Sequence, residues 1–319
     1  MHSGPIDSTP LAVRDLGGST SLPPRRRSKS AMGKGALPAL AFLTPFLLLL
    51  LVFQYIPLAV MARSSVLDYS LFNPDNATFV GADNFIRIFT DAETIQSLLI
   101  TFAFILGVLV LVVPASFALA VFLNGKLPAR ALVRTMIFLP VVTSSVVVAT
   151  LWTFLLNETG LINSVLATVG IPPAGFLTDT TQALPAIIVM TVWQQVGLAT
   201  VLFLGGLQAV PAELSEAAHM DGAGPLRRTL SITLPLLSRT TLFIVVVMTV
   251  FALQAFAPAY IMTGGAPQGT TNLIIYHIYK TAFILQQPGY ASAMALVVLA
   301  FAIIISLIQM RLLRTRWNY

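Results

Sequence analysis

Long stretches without a single ionisable residue alternate with short segments that carry nearly all the charge of the chain. Six apolar runs stand out, at 39–62, 98–123, 135–156, 184–207, 240–262 and 291–310, and none contains Asp, Glu, Lys, Arg or His. A helix needs about 20 residues to cross the hydrocarbon core of a bilayer, so each run predicts a transmembrane helix. A single run of this kind would also suit the buried helix of a soluble core. Six of them make that reading untenable. The expected fold class is all-α and integral to the membrane, with a six-helix transmembrane domain over 39–310.

The connecting segments set the orientation. Residues 1–38 are rich in Pro, Gly, Ser and Arg, cannot bury a core and predict a disordered basic tail; residues 311–319 form a second basic tail. Arg25, Arg26, Arg27, Lys29 and Lys34 precede the first run as they would in a secretory signal. That run is too long for a signal's apolar stretch and no small-residue cleavage site follows it, so it predicts an uncleaved helix. With the N-terminus inside, fifteen Lys and Arg fall on the inner segments and only Arg63, Arg87 and Lys280 on the outer ones. The positive-inside rule then places both termini in the cytoplasm. Between the third and fourth runs, Leu161, Ile162, Val165, Leu166 and Val169 share one helical face, which predicts a short helix lying on the membrane surface.

The cytoplasmic segment 208–239 is long for a simple connection between helices. Pro211 suits a helix start, Glu213 and Glu216 suit its first turns, and Gly222 with Gly224-Pro225 ends it. A second short helix over 226–232 is expected to stop before Pro235. The product is a helix-turn-helix knob whose small residues, Ala217 and Ala218, let another protein's backbone approach. A plain amphipathic connector is the simpler alternative.

Composition narrows the function. The chain is 56% hydrophobic and 9% charged, against about 25% charged in a soluble domain. Cysteine is absent, and His2, His219 and His277 are too dispersed to form a ligand cluster, so no metal site and no catalytic residue is proposed from the sequence. The net charge of +6 sits on the inner loops and does not call for nucleic acid. Its basic N-terminal cluster meets membrane lipid or simply sets topology. No G-x-x-x-x-G-K-[ST] occurs: Gly264 to Thr271 has glycines but no lysine. The chain therefore binds no ATP by the P-loop route.

Glu216-Ala217-Ala218, Asp221-Gly222-Ala223 and Ile232-x-Leu234-Pro235 resemble the EAA motif of binding-protein-dependent ABC importer permeases, with Thr229 where sugar-type relatives often carry an aromatic residue. Phe79 to Phe85, Thr263 to Pro267, Thr270-Thr271 and Ile275-Tyr276-x-Ile278-Tyr279 are similar to segments of the carbohydrate and glycerol-phosphate branch, whose members include the maltose permeases. The resemblance implies a type I importer permease fold in a bacterial cytoplasmic membrane. It also implies a second homologous permease, a dimer of ATPase subunits that hold the ATP and Mg, and an extracytoplasmic solute-binding protein. Glu216, Ala217, Ala218, Asp221, Gly222, Ala223, Leu234 and Pro235 would couple this chain to the ATPase. Candidates for the solute path are Trp193, Gln194 and Gln195 in the fourth run and Gln254 in the fifth, because an amide in hydrocarbon is costly unless it faces the protein interior; helix-to-helix hydrogen bonding is the equal alternative. Pro114 and Pro258, inside apolar runs, are candidate kinks. An amino-acid or oxyanion permease and a stand-alone secondary transporter are the rival functions. The first would recruit charge into the spans and the second intramembrane acids. A channel would carry a selectivity motif.

Overall fold

The computed structural model describes residues 36–125 and 130–312; of the basic tails expected at 1–38 and 311–319, residues 1–35 and 313–319 lie outside the described residues, while 36–38 and 311–312 are helical. The chain divides into two units, at 1–56 and 57–319. The first holds helix α1, Ala36–Leu50, which continues as a π turn, Leu51–Tyr55. α2, Ile56–Ser64, follows and has no buried residue. A short antiparallel hairpin, β1 (Leu67–Ser70) and β2 (Asn73–Phe79), and α3 (Asp83–Ile88) then occupy what the sequence reads as an outer loop.

The core is built on α4, Ala92–Asn124, and α8, Ala183–Gln208. Their near-zero amphipathicity is expected of helices apolar all round. Packing alone decides which face turns inward. Phe104, Val108 and Val112 of α4 meet Ile187, Met190 and Phe203 of α8 in the main cluster, and Phe117 lies edge-on to Phe203 at 5.5 Å. Leu99, Phe102, Leu106 and Val110, on the other side of α4, stay exposed. At 1.5 Å per residue α4 spans about 50 Å, so its ends lie on opposite faces of the second unit. Pro114 does not interrupt it.

Two of the six expected helices are interrupted. The third run is split into α5 (Arg130–Val142) and α6 (Ser145–Leu156), with Ser144 extended at ψ 133. The fifth is split after α12 (Ser238–Leu253), and Pro258–Thr263 resumes as a π turn. Pro258 thus stands at a break. A short helix stands where one was expected, α7, Leu161–Thr168, with Leu161 and Val165 exposed and Val169 exposed at its C-cap. It is separate from α6, because Asn157 and Gly160 are extended. Among the described residues, five helices are long and apolar enough to cross a membrane, and six if the bent pair 225–236 and 238–253 is one span. α13 (Ile274–Tyr279) and α14 (Pro288–Leu312) complete the unit. Gly197 explains how α8 crosses α5: a Cβ there would strike the Ile137 carbonyl oxygen, so only glycine lets α8 touch the backbone of α5.

Candidate functional site

The knob is built from α9 (Ala212–Met220), α10 (Pro225–Arg228), a π turn (Thr229–Thr233) and α11 (Leu234–Leu236). Its turn is a Schellman motif: the Ala223 N–H donates to the Ala218 carbonyl at 2.9 Å and the Gly222 N–H to the His219 carbonyl at 3.0 Å. That geometry puts Gly222 at φ +78, the left-handed region, where glycine has no Cβ to clash.

The second helix was expected to stop before Pro235 but runs through it to Leu236. Proline removes one N–H and crowds the carbonyl four residues back. The preceding turn widens instead, and Leu234 N–H bonds back to the Thr229 carbonyl. The same device precedes Pro57, where Ile56 N–H bonds to the Leu51 carbonyl.

The knob turns outward a tip that mixes apolar and acidic side chains. Met220 and Leu226 are 86% and 72% exposed, and Glu216, Ala217, Asp221, Gly222 and Pro235 are also exposed. Ala218 points inward, while Ala223 and Leu234 are half-buried. At the root, Val121 and Asn124 of α4 line a cavity of about 370 Å³ with Val210, Glu216 and Thr229. The helix 225–236 meets α12 at a bend of 72°, and Leu237, buried at that bend, anchors the joint.

The candidate path residues fall into different settings. Gln194 is buried, and its Nε2 donates to the Thr143 carbonyl and to Ser145 Oγ, both at 3.2 Å. It thereby serves the backbone freed by the break between α5 and α6. Trp193 is half-exposed and tilted against Trp152 of α6 at 5.8 Å, and Gln195 is half-buried. Gln254 is exposed at the end of α12, where the fifth helix stops. Beyond that break stands a feature the sequence reading missed: Phe256, Tyr260, Tyr276, Tyr279 and Phe283 form a continuous aromatic wall, with Phe256 and Tyr260 stacked at 5.1 Å. Spacings of three and four residues within 256–260 and 276–283 were a signal for half of it; the contact between the halves was not.

At the end of α4 away from the knob lies a polar network. Asp91 accepts from Thr94 Oγ1 at 2.7 Å, Tyr290 Oη at 3.0 Å and the Glu93 N–H at 3.2 Å. Burial opposes ionisation of Asp91, but these bonds outweigh it and hold its carboxyl below the usual value. His277 is buried, with Asn272 Nδ2 3.3 Å from Nδ1 and Thr94 Oγ1 3.1 Å from Nε2. Since Asn272 donates to Nδ1, the proton belongs on Nε2. Burial pushes the His277 pKa down against the opposing pull of Glu93 and Asp91. Lys280 Nζ pairs with Glu93 Oε1 at 2.7 Å, and the Arg87 guanidinium stacks on Tyr290 at 4.1 Å. Among the described residues no cluster of His, Asp and Glu could hold a metal ion.

Residues 113–318 match the family described as binding-protein-dependent transport system inner membrane component. A probable ABC transporter permease protein of Bacillus subtilis, YurN, is 37% identical over 86% of this chain and 95% of its own length. The trehalose/maltose transport system permease protein MalF of Thermococcus litoralis is 32% identical over 82% of this chain and 88% of its own. The fold is similar to that of a chain in a bacterial alginate ABC transporter solved with an alginate pentasaccharide-bound periplasmic protein, with a TM-score of 0.76, 23% identity, and coverage of 88% of this chain and 95% of that one. With a capped and outward-facing knob, interrupted apolar helices and these likenesses, the chain is a member of the binding-protein-dependent ABC transporter permease family, a multi-pass membrane protein.

Proposed function

We propose that this chain is one permease subunit of an ATP-driven importer that moves a saccharide or glycerol-phosphate-type solute by alternating access. The observation that carries the reading is the knob. Its tip is exposed, with Met220 and Leu226 projecting, and sterically small at Ala217 and Gly222, and its second helix is joined to α12 through one buried hinge residue, Leu237. A separate ATPase, holding ATP and Mg, seats on that tip. Closure of two ATPase subunits swings the knob, and helix 225–236 acts as a lever on α12. The interruption at 254–256 lets the far half of the fifth helix respond separately.

A neutral cargo suits the described spans, whose middles carry amides and aromatic rings rather than charges. The names of the relatives support a saccharide. The unburied residues of α2 and the outer face of α4 suit lipid and a second, homologous permease. A solute-binding protein delivers cargo on the side opposite the knob.

The chain has no cysteine, so a single introduced thiol reports one position. Met220→Cys is expected to crosslink to the co-purified ATPase, whereas Phe72→Cys on the hairpin is not. ATP-driven uptake without any other subunit, or a knob thiol that reaches no ATPase, would defeat the proposal.

A further inference from the structure

At the end of the second unit opposite the knob, a cavity of about 420 Å³ opens between the first turns of α4, the glycine-rich loop before α13, and α13 itself. Its size lies in the range of small-molecule pockets, about 300–1,000 Å³. Glu93, Gln96, Gln268, Asn272, Tyr276 and Lys280 line it. Glu93 and Lys280 neutralise each other across 2.7 Å, so the wall has no net charge with which to select a cation or an anion. What remains is three amides, a paired carboxylate and a phenol ring, the side chains that suit vicinal hydroxyls.

The wall is tightly built. The backbone of Gly265 lies against the Tyr276 ring, where a Cβ would come within 2.8 Å of it. Asn272 is 5% exposed and commits its amide nitrogen to Glu93 Oε1 at 3.4 Å and His277 Nδ1 at 3.3 Å. Its carbonyl oxygen has no partner. A buried acceptor without a donor is costly; this oxygen is closed to solvent, so a ligand hydroxyl supplies the donor once the Asn272 side chain turns toward the cavity it lines.

We propose that this cavity is a vestibule subsite for one ring of the transported saccharide, occupied before the solute reaches the interrupted helices. The inference rests on the saccharide reading above. It adds a second station outside the apolar part of the path, with Asn272 and Gln96 as hydroxyl-binding residues.

The test uses the purified permease–ATPase complex in lipid nanodiscs without the binding protein. The probe is whichever of maltose, trehalose, cellobiose and chitobiose drives ATP-dependent uptake in the full system. Saturation-transfer NMR reads probe binding to wild type, Asn272→Leu, Gln96→Leu and Gln208→Leu. Gln96 is exposed, so its variant keeps the inference testable if Asn272→Leu fails to fold. Binding at least tenfold weaker in the Gln96 and Asn272 variants, and retained in Gln208→Leu, which removes an exposed amide at the knob end of α8, supports the subsite. Unchanged binding in both cavity variants overturns it while leaving the import function standing. So does loss of binding-protein attachment in Gln96→Leu with saccharide binding intact, because the cavity then takes a protein side chain. Uptake of none of the probes by wild type removes the saccharide reading and this subsite with it.

Discussion

Replacing Gly222 by alanine and, separately, by aspartate distinguishes two roles for one residue. If Gly222 serves only the turn, the cost is conformational. At φ +78 an L-residue loses about 1 kcal/mol relative to glycine. A Cβ added at Gly222 meets nothing within 4 Å in this chain, so no steric cost is added. One kcal/mol corresponds to about a fivefold change in the turn's equilibrium. Aspartate tolerates the left-handed region better than alanine, so a purely conformational role predicts that Gly222→Ala is at least as damaging as Gly222→Asp. If the tip is the ATPase seat, the order reverses, because aspartate adds bulk and a second negative charge beside Asp221 at the contact. The assay is ATP-driven uptake by proteoliposomes containing the partner subunits, normalised to membrane-inserted chain. The expected result is at most a fivefold loss for alanine, more than a tenfold loss for aspartate, and unchanged insertion for both. Aspartate behaving no worse than alanine would reduce Gly222 to a turn residue, and normal uptake in both would remove the knob from the mechanism.

Three further outcomes follow from the packing. Gly197→Ala drives a methyl into the Ile137 carbonyl, and overpacking of this kind costs about 1–3 kcal/mol, measurable as a lowered midpoint in detergent-solubilised thermal unfolding. Gln194→Leu removes the donor from the half-buried Thr143 carbonyl and the exposed Ser145 Oγ; loss of a net hydrogen bond costs about 0.5–1.5 kcal/mol, and accelerated amide exchange at 143–148 would locate the damage at the break. The neutral form of His277 is favoured in the fold, so its contribution to stability is complete above the unfolded value of about 6.5 and is lost as pH falls through the lower folded value. Thermal stability is therefore expected to fall on acidification below neutral. His277→Gln, which keeps an amide among Asp91, Glu93, Thr94, Lys280 and Tyr290, should flatten that dependence in the same unfolding scan.

The long apolar runs and the knob were legible in the sequence because their causes are local. Lipid as solvent demands long apolar helices, and Pro211, Gly222 and Pro225 write the turn into a dozen consecutive residues. The interruption at 254–256 was marked only by Pro258 just beyond it, and the one at 143–144 was not legible. Helices apolar on every side carry no periodic mark of where a neighbour will accept a freed carbonyl, and the donor for Thr143 comes from Gln194, 51 residues on. The hairpin and α3 lay hidden in a loop too polar to read. The network of Asp91, Thr94, His277 and Tyr290 joins residues more than 180 positions apart. The sequence alone determined which segments are long and apolar and where along the chain the knob lies. The tertiary structure decided which of their faces meet, because in a bilayer the hydrophobic effect does not choose between one apolar surface and another, and only shape and scarce hydrogen-bonding groups do.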